Sequence, residues 1–250
     1  MECHLNLVNN YLKKSYTQFI ISLSCNIIYL DNEKNMENEN LKKELDYLLK
    51  QQQLLAEIAI KLTKSEEFSE TINYVINQLG EYTQVNRVYI FEDRYNNKES
   101  SNTYEWVKEG TTPQIKNLQN VPYSDLASWE KILKEKKKII AEDINDLPVD
   151  LYEYLGPQNI KSILVFPIET SKRRFGFIGF DTTEEKRKWK ETDVYLLETV
   201  SSILSNVYAS NRVKTLLEEK IHELKKINEL MVGRELRMSE LKEEIKKLEK

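Results

Sequence analysis

The sequence predicts an α+β fold in which a β-rich centre lies between long helices near both ends of the chain. The first observation is a pair of strand-like runs, Ile163 to Ile168 and Phe175 to Asp181, separated by a short charged loop. β-branched and aromatic residues dominate both runs, which is typical of a β-hairpin. The second observation is a repeat of apolar residues at alternating steps of three and four near each terminus, the pattern of coiled-coil helices.

Composition limits the classes of function. The chain has 250 residues, of which 31% are charged, and its formal net charge is −4. An acidic balance without a basic face argues against nucleic acid as the main partner. The two cysteines, Cys3 and Cys25, precede the predicted domain, so we expect no disulfide framework and no metal motif there. This cysteine usage fits a reducing, cytoplasmic location.

Residues 1–35 match no regular pattern. Their apolar run from Phe19 to Leu30 is shorter than the roughly 20 residues that span a bilayer, and no small-residue cleavage site follows it. We therefore expect no membrane or export role. Met36 directly precedes the first helical pattern, which suggests that Met36 is the native start and that residues 1–35 are an upstream extension.

Residues 36–66 are predicted to form a coiled-coil helix that leads into the domain. Its heptad seam consists of Leu41, Leu45, Leu48, Gln52, Leu55, Ala59 and Leu62. Ser65 and the glutamates after it indicate a capped restart. The second helix has one apolar face, made of Phe68, Ile72, Val75, Ile76 and Leu79, and Gly80 lies near its end.

The middle of the chain alternates between predicted strands and short helices. We expect a strand at 88–91, a turn at Asn96 and Asn97, and an antiparallel partner strand at 103–107. Ser124 is the predicted N-cap of a helix that buries Leu126, Trp129 and Leu133. A short strand at 138–141, a loop with Asp143 and Asp146, and a short helix at 149–155 that ends at Gly156 precede the central hairpin.

After Trp189 the chain is predicted to be helical to its end. The first part has a buried face of Val194, Leu197, Val200, Ile203, Leu204 and Val207. The later part repeats an apolar residue every seven positions, at Leu217, Leu224, Met231, Met238 and Ile245. Lys220 and Arg234 interrupt the companion positions, and Gly233 weakens the helix by about 1 kcal/mol relative to alanine.

Several motifs, taken in order, resemble a known family. They are Tyr104-Glu-Trp106, Glu109-Gly-Thr-Thr-Pro-Gln-Ile115, Ile140-Ala-Glu-Asp143, Gly156-Pro-Gln-Asn-Ile-Lys-Ser162, Gly176-Phe-Ile-Gly-Phe-Asp181 and Trp189. The stretch from about Glu67 to Ala209 resembles a GAF domain, the small-molecule sensor module of bacterial and archaeal signalling proteins. The resemblance implies an antiparallel sheet of about five or six strands with helices packed on it. Four segments follow: the 1–35 extension, a 36–66 coiled-coil helix, a GAF-like domain at 67–209, and a 210–250 coiled coil.

The resemblance also implies a ligand pocket between the sheet and a covering helix. Tyr104 and Trp106 on the second strand and Trp129 on the helix are the aromatic candidates, Asp143 is a candidate for the rim, and Phe166 and Phe180 are candidates for the floor. Such a pocket is mostly apolar with a few polar groups. Aromatic residues at this spacing also pack ordinary cores, and that alternative stays open. Asp143 with Asp146 fits either a carboxylate pair for acid–base or cation chemistry or, by preference, ordinary loop acids.

Absent residues exclude several chemistries from the domain. Both histidines, His4 and His222, and both cysteines lie outside it, which excludes histidine-ligated haem or zinc, covalent bilin attachment and cysteine redox catalysis there. The cyclic-nucleotide signature of some GAF domains and a glycine-rich phosphate loop are also missing. The cofactor is therefore unassigned. His222-Glu-Leu-Lys225 resembles the start of a histidine-kinase phosphoacceptor box, but Ile227 stands where that box has proline, so a solvated helical histidine is favoured.

The sequence thus predicts a cytoplasmic signal-transduction sensor rather than an enzyme. We expect it to bind a small molecule or a partner and to relay the change through helices that form a homodimer. A histidine kinase or another signalling protein, as in a two-component system, is the expected output partner. The alternatives are a constitutive dimerisation scaffold without a ligand, and a remnant of a larger histidine kinase or diguanylate cyclase.

Overall fold

The structure is a computed structural model that describes residues 39, 41–63, 67–94 and 97–248. The chain divides into two units, Met1–Ala56 and Glu57–Lys250. The predictions for residues 1–35, Met36, Ser65 and Asn96 lie outside the described residues. Helix α1 covers residues 41–63, and in the first unit Leu41, Leu45 and Leu48 of the predicted seam are exposed.

The second unit contains the sheet and four further helices. The helices are α2 (Phe68–Thr83), α3 (Ala127–Lys136), α4 (Val149–Leu155) and α5 (Glu191–Leu248), the last with 58 residues. The strands are β1 (Arg87–Arg94), β2 (Glu99–Val107), β3 (Val121–Pro122), β4 (Ile139–Ala141), β5 (Ser162–Glu169) and β6 (Arg174–Thr182).

The six strands form one sheet in the order β3-β2-β1-β6-β5-β4, and every neighbouring pair is antiparallel. The predicted α+β class and the antiparallel sheet are confirmed. The central hairpin of β5 and β6 lies where the sequence predicts it, and β1 pairs with β6 on the other side. Strand β2 begins earlier than the predicted 103–107, and β3 adds a short edge strand between β2 and α3 in the sequence.

Helices cover both faces of this sheet. Helices α2 and α5 pack on one face, where the Ser201 hydroxyl donates to the Pro167 carbonyl at 2.5 Å and the Tyr208 hydroxyl donates to Glu92 at 2.8 Å. Helices α3 and α4 pack on the other face, where Trp129 and Leu155 belong to a core with Phe177 of β6. Because helices cover both faces of the sheet, β5 is buried at every position from Ser162 to Ile168. A strand in this position is apolar at nearly every residue.

Two glycines of β6 permit close approaches within the sheet. A Cβ atom on Gly179 would lie 2.5 Å from the ring of Tyr89. Gly176 has φ +154, and a Cβ atom there would lie 1.8 Å from the carbonyl oxygen of Phe91 on the neighbouring strand. Glycine is needed at both positions because no side chain fits, in accord with the usual meaning of glycine inside a strand.

The start of α3 differs from the prediction. Ser124 lies in a 3₁₀ turn at Tyr123–Asp125, and α3 begins at Ala127 with Leu126 as its N-cap residue, so the Ser124 cap is wrong. The first turn is satisfied instead by a residue from α4, because the carboxylate of Asp150 accepts the Ser128 backbone N–H at 3.0 Å. A cap supplied from another helix leaves no local signal in the sequence.

Helix α5 has two parts with different environments. Leu197, Val200 and Leu204 of its predicted face are buried against the sheet, whereas Val194, Ile203 and Val207 are half-buried. From Leu216 to Leu248 every described side chain is exposed. The helix thus carries its apolar heptads well past its last contact with the domain.

Candidate functional site

A cavity lies between the sheet and the cover made by α3, α4 and the loop that follows β2. Its walls are largely aromatic and aliphatic, with Tyr89, Phe91, Tyr123, Trp129, Leu155 and Phe177 among them. Half-buried Gln114, Leu118, Tyr154 and Gln158 surround its mouth. The space left inside for water-sized molecules is about 30 Å³, which is room for roughly one or two waters. In this conformation the side chains nearly fill the site.

A buried ion pair lines one wall of the cavity. Arg87 of β1 stands opposite Asp181 of β6 in the strand register, and its Nε donates to both carboxylate oxygens at 2.9 and 3.1 Å. Each side chain is only 2% exposed. Burial raises the pKa of Asp181 to about 6, although the charge and hydrogen bond of Arg87 act in the opposite direction. Arg87 also donates from Nη2 to the carbonyl of Gln158 at 3.3 Å, which ties the mouth to the sheet.

Glu105 of β2 fixes the loop on the other side of the mouth. Its carboxylate accepts the backbone N–H groups of Gln114 at 2.8 Å and Ile115 at 2.9 Å, and the side-chain amide of Asn102 at 3.3 Å. Hydrogen bonds from backbone donors to a carboxylate are stronger than bonds between neutral groups. The backbone around Gln114 is therefore held by a side chain that lines the cavity.

A second buried polar cluster joins the aromatic wall to the start of β6. The hydroxyl of Tyr123 donates to Asp93 at 2.6 Å, and Nε of Arg174 donates to the same carboxylate at 2.5 Å. The Arg174 guanidinium also lies 4.7 Å from the centre of the Tyr123 ring, a cation–π arrangement. Burial raises the pKa of Tyr123, so this hydroxyl stays protonated and remains a donor.

Two polar atoms on residues that line the cavity have no hydrogen-bond partner in the described part of the chain. They are Oδ1 of Asn102 and Nε1 of Trp129. Asn102 is 1% exposed and Trp129 is 4% exposed. A buried polar atom without a partner costs about 1–3 kcal/mol, so native proteins rarely leave one unsatisfied.

Comparison with known proteins identifies the family. The family model described as "GAF domain" matches residues 67–207, more than half of the chain. The chain belongs to the GAF family. This match begins with α2 and ends within the buried part of α5, so the GAF domain includes the whole sheet and the cavity.

One relative links the chain to signalling proteins. The chain is 33% identical over 180 residues to the methanogenesis regulatory histidine kinase FilI of Methanothrix harundinacea (strain 6Ac). The match covers 67% of this chain and 20% of the kinase, so the chain spans about a fifth of the length of that relative. The chain is therefore a GAF sensor domain of the type found in signalling proteins, and it is homologous to part of a histidine kinase.

Solved structures agree on the fold. The phycocyanobilin-bound GAF domain of a cyanobacterial phytochrome has a TM-score of 0.58 at 19% identity, with 66% of this chain and 96% of that chain covered. The GAF domain of an Acinetobacter phosphoenolpyruvate-protein phosphotransferase has a TM-score of 0.53 at 15% identity, with 66% and 96% covered. At these identities the likeness concerns the fold and does not transfer a ligand.

The GAF cavity contains one of the six residues predicted to contact a ligand. Trp129 of the covering helix α3 lines it. Tyr104 and Trp106 point to the opposite face, where Tyr104 bonds with Ser69 of α2 and the ring of Trp106 lies directly against Gly80 of the same helix. These two residues therefore do not line the cavity.

The other three predicted residues also lie away from the cavity. Phe180 packs toward Trp189 on the α5 side of the sheet, with the ring centres 6.5 Å apart, and Phe166 lines a surface groove with Ser201 and Ser202 of α5. Asp143 forms an exposed ion pair with Lys186, and this pairing lowers the pKa of its carboxyl group. The structure does not bring the six residues together, and a ligand contact by any of them stays a prediction.

Sequence reasoning missed most of the polar residues of the cavity. Arg87, Glu105 and Asp181 have no charged neighbour in the sequence: Arg87 precedes the run Val88–Phe91, Glu105 lies between two aromatic residues, and Asp181 follows Phe180. Such a charge is rarely buried without a partner. That isolation was the available signal, but the pairing itself depends on strand register.

The described residues lack two kinds of feature. No described helix combines the length and the apolar character that a membrane-spanning segment needs. Among the same residues, no group of three or more histidine, cysteine, aspartate or glutamate side chains could hold a metal ion.

Proposed function

We propose that this GAF domain is a sensor whose cavity takes up a small molecule and whose α5 helix carries the response to an output partner. One observation supports the proposal above the others. Strand β6 has the cavity on one side and the output helix on the other: Phe177 and Asp181 line the cavity, whereas Phe180 packs toward Trp189 just before α5. A change in the cavity therefore has a short route to the base of α5.

Neighbouring contacts support the same route. Strand β5 pairs with β6 and is tied to α5 by two hydrogen bonds, from Ser201 to the Pro167 carbonyl at 2.5 Å and from the Glu169 N–H to Ser205 at 2.9 Å. On β1, Phe91 lines the cavity while Glu92, the next residue, accepts a bond from Tyr208 of α5. Adjacent residues of a strand point to opposite faces, so each central strand couples the two sides.

We further propose that α5 pairs with the same helix of a second copy. The exposed heptad residues Leu217, Leu224, Met231, Met238 and Ile245 lie along one stripe, and each is at least half exposed. Exposed apolar stripes of this length mark association sites. In a parallel pair each residue would meet its own copy, and burial would contribute about 1.5–3 kcal/mol for each large side chain.

The relative supports a proposal for the output partner and for the class of protein. FilI is a histidine kinase, so a histidine kinase is the candidate partner or parent protein, within a two-component system in the cytoplasm. GAF domains are generally regulatory, and we assign no catalytic residue to this one. The alternative, a scaffold with a self-filled pocket, is favoured by one observation, the small free space of about 30 Å³ in the cavity.

Native mass spectrometry of the full chain tests the sensor against the scaffold. A retained small molecule, lost when the mouth of the cavity is narrowed by Leu118→Trp, would support the sensor. A protein that binds nothing from a metabolite extract, although it is folded and dimeric, would support the scaffold.

Sedimentation equilibrium at micromolar concentration tests the pairing of α5. The double variant Leu224→Lys with Met231→Lys places charges on the stripe and should weaken self-association. Leu236→Lys is the matched control, because Leu236 is equally exposed, at 62%, but lies away from the stripe. Equal weakening by the control, or a monomeric wild type, would contradict the homodimer.

A further inference from the structure

The two unpartnered atoms of the cavity have fixed chemical roles. The side-chain amide of Asn102 donates through Nδ2 to Glu105 at 3.3 Å, and only the NH₂ side of the amide can donate to a carboxylate. Its orientation is thereby set, and the unpartnered Oδ1 is an acceptor. The indole nitrogen of Trp129 can only donate. Two residues of the cavity wall therefore carry one acceptor and one donor that have no protein partner among the described residues, and both residues are buried.

Each charged side chain that lines the cavity already has partners within the protein. Of the described residues that line it, Arg87 alone is cationic, and its guanidinium is engaged with Asp181 and the Gln158 carbonyl. Glu105 is satisfied by the backbone N–H groups of Gln114 and Ile115. Two carboxylates against one paired guanidinium leave no counter-charge for an anionic ligand. Burying an unpaired charge is strongly unfavourable, so the site disfavours anions.

The walls favour a flat molecule. Phe91 and Phe177 are stacked, with ring centres 4.8 Å apart and an angle of 13° between the rings, and Trp129 lies 5.1 Å from Phe177. An aromatic or conjugated ligand could extend this group of rings by offset or edge contacts. Because the free space is about 30 Å³, entry of such a ligand requires the mouth to open. The mouth is held by Arg87 and Glu105, which bind the backbone at Gln158 and Gln114.

We infer that the cavity binds an uncharged planar molecule that has both a hydrogen-bond donor and an acceptor, such as a small aromatic amide or lactam, and rejects the matching carboxylate. The donor of the ligand would face Oδ1 of Asn102, and its acceptor would face Nε1 of Trp129. This inference rests on the proposed function of the cavity as a ligand site. It adds the charge, shape and hydrogen-bond character of what enters.

Benzamide and benzoate test the inference because they have the same size and shape and differ in charge and in the donor group. Binding to the full chain is measured by ligand-observed NMR titration. We expect benzamide to bind at least tenfold more tightly than benzoate. Trp129→Phe keeps a ring but removes the N–H, and should weaken benzamide binding by about tenfold. Trp189→Phe is the matched control, since that indole donates to the Ala141 carbonyl outside the cavity.

The outcomes separate this inference from the proposed function. Equal or tighter binding of benzoate, or unchanged benzamide binding in Trp129→Phe, would overturn the ligand class and leave the cavity as a ligand site. No binding of either probe up to about 10 mM, in protein that is folded by circular dichroism, would overturn the ligand class, whereas the proposed function fails only if native mass spectrometry also finds no bound molecule. In that case the two unpartnered atoms are satisfied by water alone.

Discussion

Replacing Gly176 by alanine should destabilise the GAF domain more than the same change at any other described glycine. An alanine Cβ would lie 1.8 Å from the Phe91 carbonyl oxygen and 3.0 Å from the Cα atom of Glu92. Both are backbone atoms of β1, so relief requires the β1–β6 ladder to separate at this point. Overpacking of a rigid site costs about 1–3 kcal/mol, and a lost ladder hydrogen bond adds about 1 kcal/mol. We expect a loss of about 3 kcal/mol or more.

Other glycines provide graded controls for this substitution. At Gly179 the added Cβ would meet the ring of Tyr89 at 2.5 Å, and a ring can tilt, so the cost should be smaller, about 1–3 kcal/mol. At Gly233 nothing lies within 4 Å, and the residue is inside α5. Gly233→Ala should leave the domain unchanged and favour the helix by about 1 kcal/mol.

Urea unfolding followed by tryptophan fluorescence measures these differences. In the sequence, Trp106, Trp129 and Trp189 all lie after α2 and before α5. The fluorescence therefore reports on the domain rather than on the end of α5. For a domain of this size, 3 kcal/mol corresponds to a fall in melting temperature of roughly 6–12 °C. A Gly176→Ala protein that unfolds at the urea midpoint of the wild type would refute the close approach of β1 and β6.

Three further predictions concern polar groups that bind other elements of the domain. Because the pKa of Asp181 is about 6 in the folded protein and 3.8 in the reference state, the unfolded chain releases this proton first. The unfolding free energy of the wild type should thus fall relative to that of Asp181→Asn as pH rises through this window, and a constant difference in urea titrations across it would contradict the shift. Asp150→Ala removes the acceptor of the Ser128 N–H and should cost about 1 kcal/mol in urea unfolding. Tyr123→Phe removes a 2.6 Å bond to the fully buried Asp93 carboxylate and should cost about 1.5–3 kcal/mol by the same assay; a wild-type midpoint would contradict the contact.

The sequence predicted the elements of the fold because their signals are local. The hairpin of β5 and β6 follows from β-branched and aromatic runs around a polar loop, and α4 has the predicted bounds, Val149–Leu155. The start of α3 could not be found locally, because Asp150 caps it from another helix.

The sequence could not predict in the same way which side chains of each strand point to the cavity. Both sides of this sheet are covered by helices, so apolar residues occur at every position and alternation carries no information about which side holds the cavity. A shift in register between Ile90 and Phe91 adds to the difficulty, since one extra residue on β2 reverses the facing of its neighbours. Tyr104 and Trp106 therefore face α2, and Glu105 faces the cavity.

The exposed part of α5 is long enough to amplify a small tilt of the helix. Residues 216–248 extend about 50 Å as an α-helix beyond the last half-buried side chain, at Thr215. A tilt of only about 5° at the sheet would move the far end sideways by roughly 4 Å. A rearrangement beside Phe177 that tilts the helix this little would therefore change the distance between the apolar stripes of two paired helices. Deleting whole heptads from this helix would reduce the displacement of its far end in proportion to the length removed. The remaining apolar stripe would keep its register.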